Sequence, residues 1–176
     1  MMERFTKSAH AAVVRAVQEA EREHAEAVEP PHLLLALLAS PVLAEYALSR
    51  EEIEHDFREA RRKGGLTGAD ADALRGLGID VDAVVASVER SHGEGVLARR
   101  RGPRRRRFAG GHVPFHAAAR EILVRSLREA RDFGHRGLGD EHLLLALLAG
   151  DGVVPEVLRT RGVDYAAVRR RVAAAS

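Results

Sequence analysis

Nine histidines, seven arginines in one short run and an acidic pair, Asp140–Glu141, are the side chains of this 176-residue chain with chemistry to offer. Their spacing excludes more than it supports. The closest histidine pair, His112 and His116, is interrupted by Pro114, so the two do not share a helix face, and there is no HExxH; no metal site is expected. Cysteine is absent, which removes thiolate chemistry and disulfides. The serines have neither a GxSxG context nor a paired histidine, and no GxxxxGK[ST] stretch offers a phosphate cradle. The chain is therefore expected to be no enzyme and to need no cofactor.

Recognition remains. Glu141 opens an apolar helix, with Asp140 expected as its N-cap, where an acid is favoured by the helix dipole whether or not it meets a ligand. Arg99, Arg100, Arg101, Arg104, Arg105, Arg106 and Arg107 form a basic tract, and without it the net charge of +2 becomes −5. Such a tract can take phosphates in a salt-dependent way. Only Phe108 lies close enough to stack on bases, and a basic linker against acidic neighbours explains the tract equally well. Nucleic acid is not expected as the principal partner.

The elements that must position these groups come in two copies. His32–Ala39 reads HLLLALLA and His142–Ala149 repeats it 110 positions later. At the same offset Phe5 falls on Phe115, Ala9 on Ala119, Glu19 on Glu129 and Ala20 on Ala130. Each copy should open with an amphipathic helix, its apolar line running Ala9, Val13, Val17, Ala20 or Ala119, Leu123, Leu127, Ala130. HLLLALLA is apolar on nearly every side and must be buried between other helices. His32 and His142 read as satisfied helix-start residues.

A second match runs at an offset of 84, LRGLGIDVDAVV (Leu74 to Val85) against LRTRGVDYAAVR (Leu158 to Arg169). Gly78 and Gly162 suit a left-handed helix end, and Asp80 and Asp164 suit N-caps. Each copy is thus expected to close with helix, Gly turn and helix. The organisation read from this is a first repeat over 1–90, a Gly/Arg-rich linker over 91–113 and a second repeat over 114–176. The first repeat carries an insertion at about 45–70, expected as a solvated charged helix and loop. Composition agrees with an all-α protein, since hydrophobic residues make up 45% but aromatics only 4%. No signal-peptide pattern is present and the apolar runs are too short for a bilayer, so a soluble, cytoplasmic protein without membrane partners is expected.

ERFTKSAHAAVVRAVQEA with HLLLALL, and HVPFHAAAREILVRSLREARDFGHRGLGDEHLLLALL after it, resembles the double Clp repeat, the N-terminal domain of ClpC- and ClpA-type Hsp100 chaperones. The resemblance implies two four-helix repeats about a pseudo-twofold axis. It also implies a binding role toward substrates, adaptors and other Clp ATPase or protease components. Without the ATPase modules, the chain is similar to a freestanding N-domain of the type found in actinobacteria. In ClpC-type relatives each repeat resembles a half-site for phosphoarginine, a Thr holding the phosphoryl group and a Glu the guanidinium. Carried over, Thr6 stands at the first Thr position but Pro31 at its Glu position, with Glu29 two residues early. In the second repeat Glu141 stands in place while His116 replaces the Thr. Each half-site is expected to be damaged in a different place. The family's apolar seam maps to Met2, Phe5, Val113 and Phe115, where adaptors, peptides or cyclic-peptide antibiotics would bind. Phe5 also reads as a staple on the core. A decoy that sequesters such antibiotics is one alternative function, and a nucleic-acid-associated protein acting through the arginines is the other.

Overall fold

A computed structural model describes residues 5–98 and 113–175. Met2 and the whole arginine tract, Arg99 to Arg107, lie outside the described residues. The described chain is all-α, with nine α-helices and no strand: α1 (Lys7–Arg22), α2 (Pro30–Leu37), α3 (Arg50–Arg62), α4 (Gly68–Gly76), α5 (Val81–His92), α6 (Ala117–Asp132), α7 (Asp140–Leu148), α8 (Val153–Thr160) and α9 (Tyr165–Ala175). A 3₁₀ turn, Pro41–Tyr46, joins α2 to α3.

The duplicated HLLLALLA segments are α2 and α7, and they form the centre. All three leucines after each histidine are at most 3% exposed. α1 lies on α2 and α6 on α7, and α2 touches α7 and α6 across the repeats. The buried line of α1 is Ala9, Ala12, Ala16 and Ala20, one step round from the expected Val13 and Val17, which are half-buried. Alanines on that line let α1 approach the leucine helix closely, and the bulkier valines pack at the flank.

The expected insertion is where the structure departs from the sequence reading. α3 is no solvated extension. It buries Ile53 at 0% and Phe57 at 4% exposure against the core, as α9 buries Val168 and Val172. The repeat-equivalent acids confirm its place: Glu19 on α1 accepts two bonds from Arg50 of α3, at 3.0 and 2.6 Å. Glu129 on α6 accepts from Tyr165 and Arg169 of α9, each at 2.9 Å. The segment outside the packed body is instead α4–α5, read from the 84-residue match as the end of the repeat. Its turn chemistry is as expected, with Gly78 at φ +83 and Asp80 capping Ala83 N–H at 3.1 Å. Its apolar residues are only partly covered, however: Val81 and Val85 are buried, outside the main core cluster. Ile79 and Val84 are 45% and 51% exposed, whereas their counterparts Val163 and Val168 are fully buried.

Polar clamps hold α4–α5 in place. Arg62 donates to both carboxylate oxygens of Glu89 at 2.7 and 2.5 Å, Lys63 reaches Asp82 at 2.9 Å, and Gly68 N–H donates to Glu156 at 2.7 Å. The Arg62 bonds, with a further N–H from Gly95, hold the Glu89 carboxyl down to about 2. A carboxyl depressed on folding contributes stability above its unfolded pKa of about 4.3, and loses it as pH falls toward the folded value. Glu89 should therefore titrate near pH 2 by carbon NMR. Glu89→Gln should raise hydrogen exchange across α5 at neutral pH and leave α7 unchanged.

Candidate functional site

Each repeat begins with a short extended segment, and the two segments cross. Thr6 N–H donates to Leu138 O at 2.9 Å, while Val28 N–H donates to Pro114 O at 2.7 Å and His116 N–H to Val28 O at 2.9 Å. The paired residues are Phe5 with Leu138 and Phe115 with Val28, the same contact seen from either repeat. Val28 and Leu138 are 0% and 1% exposed, and the spacing alone did not single them out. Phe5, Val113 and Phe115 are half-buried and pack on the core. Of the seam residues described, Phe5, Val113 and Phe115 thus each give part of their surface to the core.

The crossing changes which residues share a site. α1 of the first repeat starts beside α7 of the second, so Thr6 belongs with Glu141, and His116 belongs with Pro31. A cavity of about 560 Å³ is lined by Ser8 from α1, by Asp140 and Glu141 from α7, and by Ser40, His135 and Arg171 among others. Its pseudo-symmetric mate, about 360 Å³, has Ala118, Pro30 and Pro31 at the equivalent positions. Glu141 thus lines the first cavity and Pro31 the second, while Thr6 and His116, the caps of α1 and α6, precede the lining residues Ser8 and Ala118.

Local sequence sets the polar cavity. Thr6 caps α1, its Oγ1 accepting Ala9 N–H at 3.2 Å and lying 3.0 Å from Ser8 Oγ. His116 does the same for α6, its Nδ1 accepting Ala118 N–H at 3.3 Å. Asp140 is not the N-cap of α7. Gly139 occupies that place, with Asp140 and Glu141 as the first two helical residues. Gly139 has no side chain, so the Glu141 carboxylate folds back over it: a Cβ added there would clash with Glu141 Oε1. The cap that Asp140 does not supply comes from His142, whose Nδ1 accepts Gly139 N–H at 2.9 Å. His32 repeats this for α2, accepting Glu29 N–H at 2.8 Å. Both rings are fully buried.

Because Nδ1 of His142 is an acceptor, its ring proton sits on Nε2, 2.9 Å from His135 Nδ1. Burial pushes the His142 pKa below the usual histidine value, the Glu141 carboxylate opposes this, and His135 adds to it. Spacing gave no hint that His135, Glu141 and His142 would gather, yet one ligand atom of each lies within 4.8 Å of the others. A metal on Nε2 would need that proton removed while Nδ1 still accepts the backbone N–H. The trio therefore fits a hydrogen-bond relay better than a metal centre.

Charge in the cavity is uneven. Asp140 is 5% exposed; it accepts the Ser40 hydroxyl on Oδ2, and its Oδ1 has no hydrogen-bond partner. Arg171 is engaged with Glu45, donates to Val42 O at 2.9 Å and lies over the Tyr46 ring.

Residues 4–63 and 114–176 match the family described as the Clp repeat (R) N-terminal domain. The chain belongs to that family. It is 31% identical over 173 residues to the chloroplastic chaperone protein ClpC2 of Oryza sativa subsp. japonica, covering 98% of this chain and 15% of that protein. The chloroplastic ClpC1 of Arabidopsis thaliana matches equally, at 31% over the same length and 15% of its own. The chain thus spans under a sixth of the length of these relatives. Among solved structures, the N-terminal domain of the chaperone ClpD from Arabidopsis thaliana superposes with a TM-score of 0.51 at 20% identity, covering 97% of this chain and 92% of that one. The Hsp104 N-terminal domain from Candida albicans gives 0.54 at 13% identity, over 94% and 87%. Both likenesses are of fold. No helix among the described residues is long and apolar enough to cross a membrane.

Proposed function

We propose that this Clp repeat domain binds a guanidinium-bearing side chain on a client or adaptor and so modulates a Clp chaperone–protease. The phosphoarginine-like mark implied by the family resemblance is one form of that group. The observation that carries the reading is the crossing of the repeats, which brings the start of α1, with Thr6 as its cap and Ser8 on the wall, beside Glu141 at one cavity of a volume that suits a side-chain ligand. A carboxylate offers the planar guanidinium two parallel bonds, and the start of α1 offers N–H groups and hydroxyls beyond it. The module acts by binding, with no catalytic step of its own. The antibiotic-decoy reading needs an open apolar seam, and Phe5, Val113 and Phe115 are half-buried at the crossing.

Calorimetric titration with phosphoarginine and with arginine tests this. One site per chain is expected for at least one of the two ligands. Glu141→Ala should weaken it roughly ten- to hundredfold, the loss of a charged hydrogen bond worth about 1.5–3 kcal/mol. Binding that Glu141→Ala leaves unchanged sinks the proposal.

A further inference from the structure

On the reading that Glu141 anchors a guanidinium, we infer that the same cavity takes an unmodified, cationic arginine side chain in preference to a phosphorylated one, with Asp140 as the residue that sets the preference. The side-chain cation and side-chain donors around the cavity are already engaged, whereas Glu141 and one oxygen of Asp140 have no cation or donor of their own. Arg171 is committed to Glu45 and the Val42 carbonyl. Thr6 Oγ1 is occupied by the Ala9 N–H and by Ser8. The Nδ1 of His135 takes the ring proton of His142.

Against these stand two adjacent carboxylates without a cation. Glu141 lies 3.4 Å from His142 Nδ1, but that nitrogen is an acceptor for Gly139 N–H and carries no proton to share. Asp140 is more than nine-tenths buried and holds one oxygen, Oδ1, with no partner. A buried carboxylate oxygen left unmatched is costly until a donor arrives. An arginine side chain brings five N–H donors in one plane and a full positive charge, enough for both carboxylates at once. A phosphoryl group instead brings about −1.5 to −2 charges and acceptor oxygens only. Placed beside Asp140 and Glu141 it would be repelled, with no uncommitted cation on the cavity wall to receive it.

Two short peptides, identical except that one carries arginine and the other phosphoarginine, would be titrated calorimetrically into the full chain. The arginine peptide is expected to bind at least tenfold more tightly. Asp140→Asn keeps an oxygen for the Ser40 hydroxyl and removes the charge, and should shrink that preference at least tenfold. Asp140→Ser is a second neutral variant should the amide disturb folding, with both variants checked by thermal melts. A wild-type preference for phosphoarginine overturns the inference and leaves Glu141 as the anchor. A preference for arginine that both variants leave intact removes Asp140 as its source. Failure of both peptides to bind overturns the inference and the guanidinium reading together.

Discussion

Leu144→Ala is expected to be among the most damaging single substitutions in this chain. Leu144 is fully buried in α7, and α7 meets α1, α2, α6, α8, α9 and the 3₁₀ turn. A cavity opened there cannot be filled by collapse of one neighbour, because the neighbours are braced against each other from both repeats. Leucine-to-alanine changes at such sites cost about 2–5 kcal/mol, and for a domain of this size that lowers Tm by roughly 5–20 °C. Val124→Ala is the control. Val124 is 46% exposed on α6, so its truncation should change stability by no more than about 0.5 kcal/mol. Thermal melts of the two variants side by side decide the matter. Equal shifts would mean that α7 is not the keystone.

His142→Ala is expected to destabilise more than His32→Ala, although the two residues are copies. Both changes strip the N-cap amide of its acceptor, leaving a buried N–H at a cost of about 1–3 kcal/mol. His142 loses more, because its Nε2 also meets His135 at 2.9 Å. The Nε2 of His32 has no hydrogen-bond partner and stands 3.6 Å from Glu23. Ala25 occupies the position that corresponds to His135. His142→Asn should recover part of the loss, since its side-chain oxygen can take over the Gly139 N–H. Denaturant unfolding of the four proteins gives the order directly. A His32→Ala cost equal to or above that of His142→Ala would show that the relay contributes nothing.

Much of this architecture is legible in the sequence. The repeated HLLLALLA announced two copies and two buried helices, and Gly78 and Asp80 marked a helix end and start that the backbone adopts. The insertion was misplaced for a physical reason. α4–α5 resembles α8–α9 more closely in sequence than α3 does, so similarity pointed to it as the closing pair. Burial went instead to the helix carrying Ile53, Phe57 and the Arg50 partner of Glu19. The site was half legible. Thr6 and Glu141 could be named from the motif, but their pairing depends on backbone bridges one residue long at Phe5–Leu138 and Val28–Phe115. Contacts that short carry no periodicity. The approach of His135 to His142 is hidden likewise, since a step of seven reads as two helical turns, whereas the chain between them is the turn before α7.

The crossed segments have the geometry of an isologous dimer folded into one polypeptide, with each residue's contact mirrored in the other half. Two separate identical subunits could never make their two pockets differ, because any substitution would appear in both. Joined in one chain, the halves are free of that constraint. Pro30, Pro31 and Ala118 line one pocket where Asp140, Glu141 and Ser8 line its twin, so the two have diverged in charge. On the guanidinium reading, fusion turns a symmetric, bivalent surface into a monovalent one, which can hold a single ligand without cross-linking two.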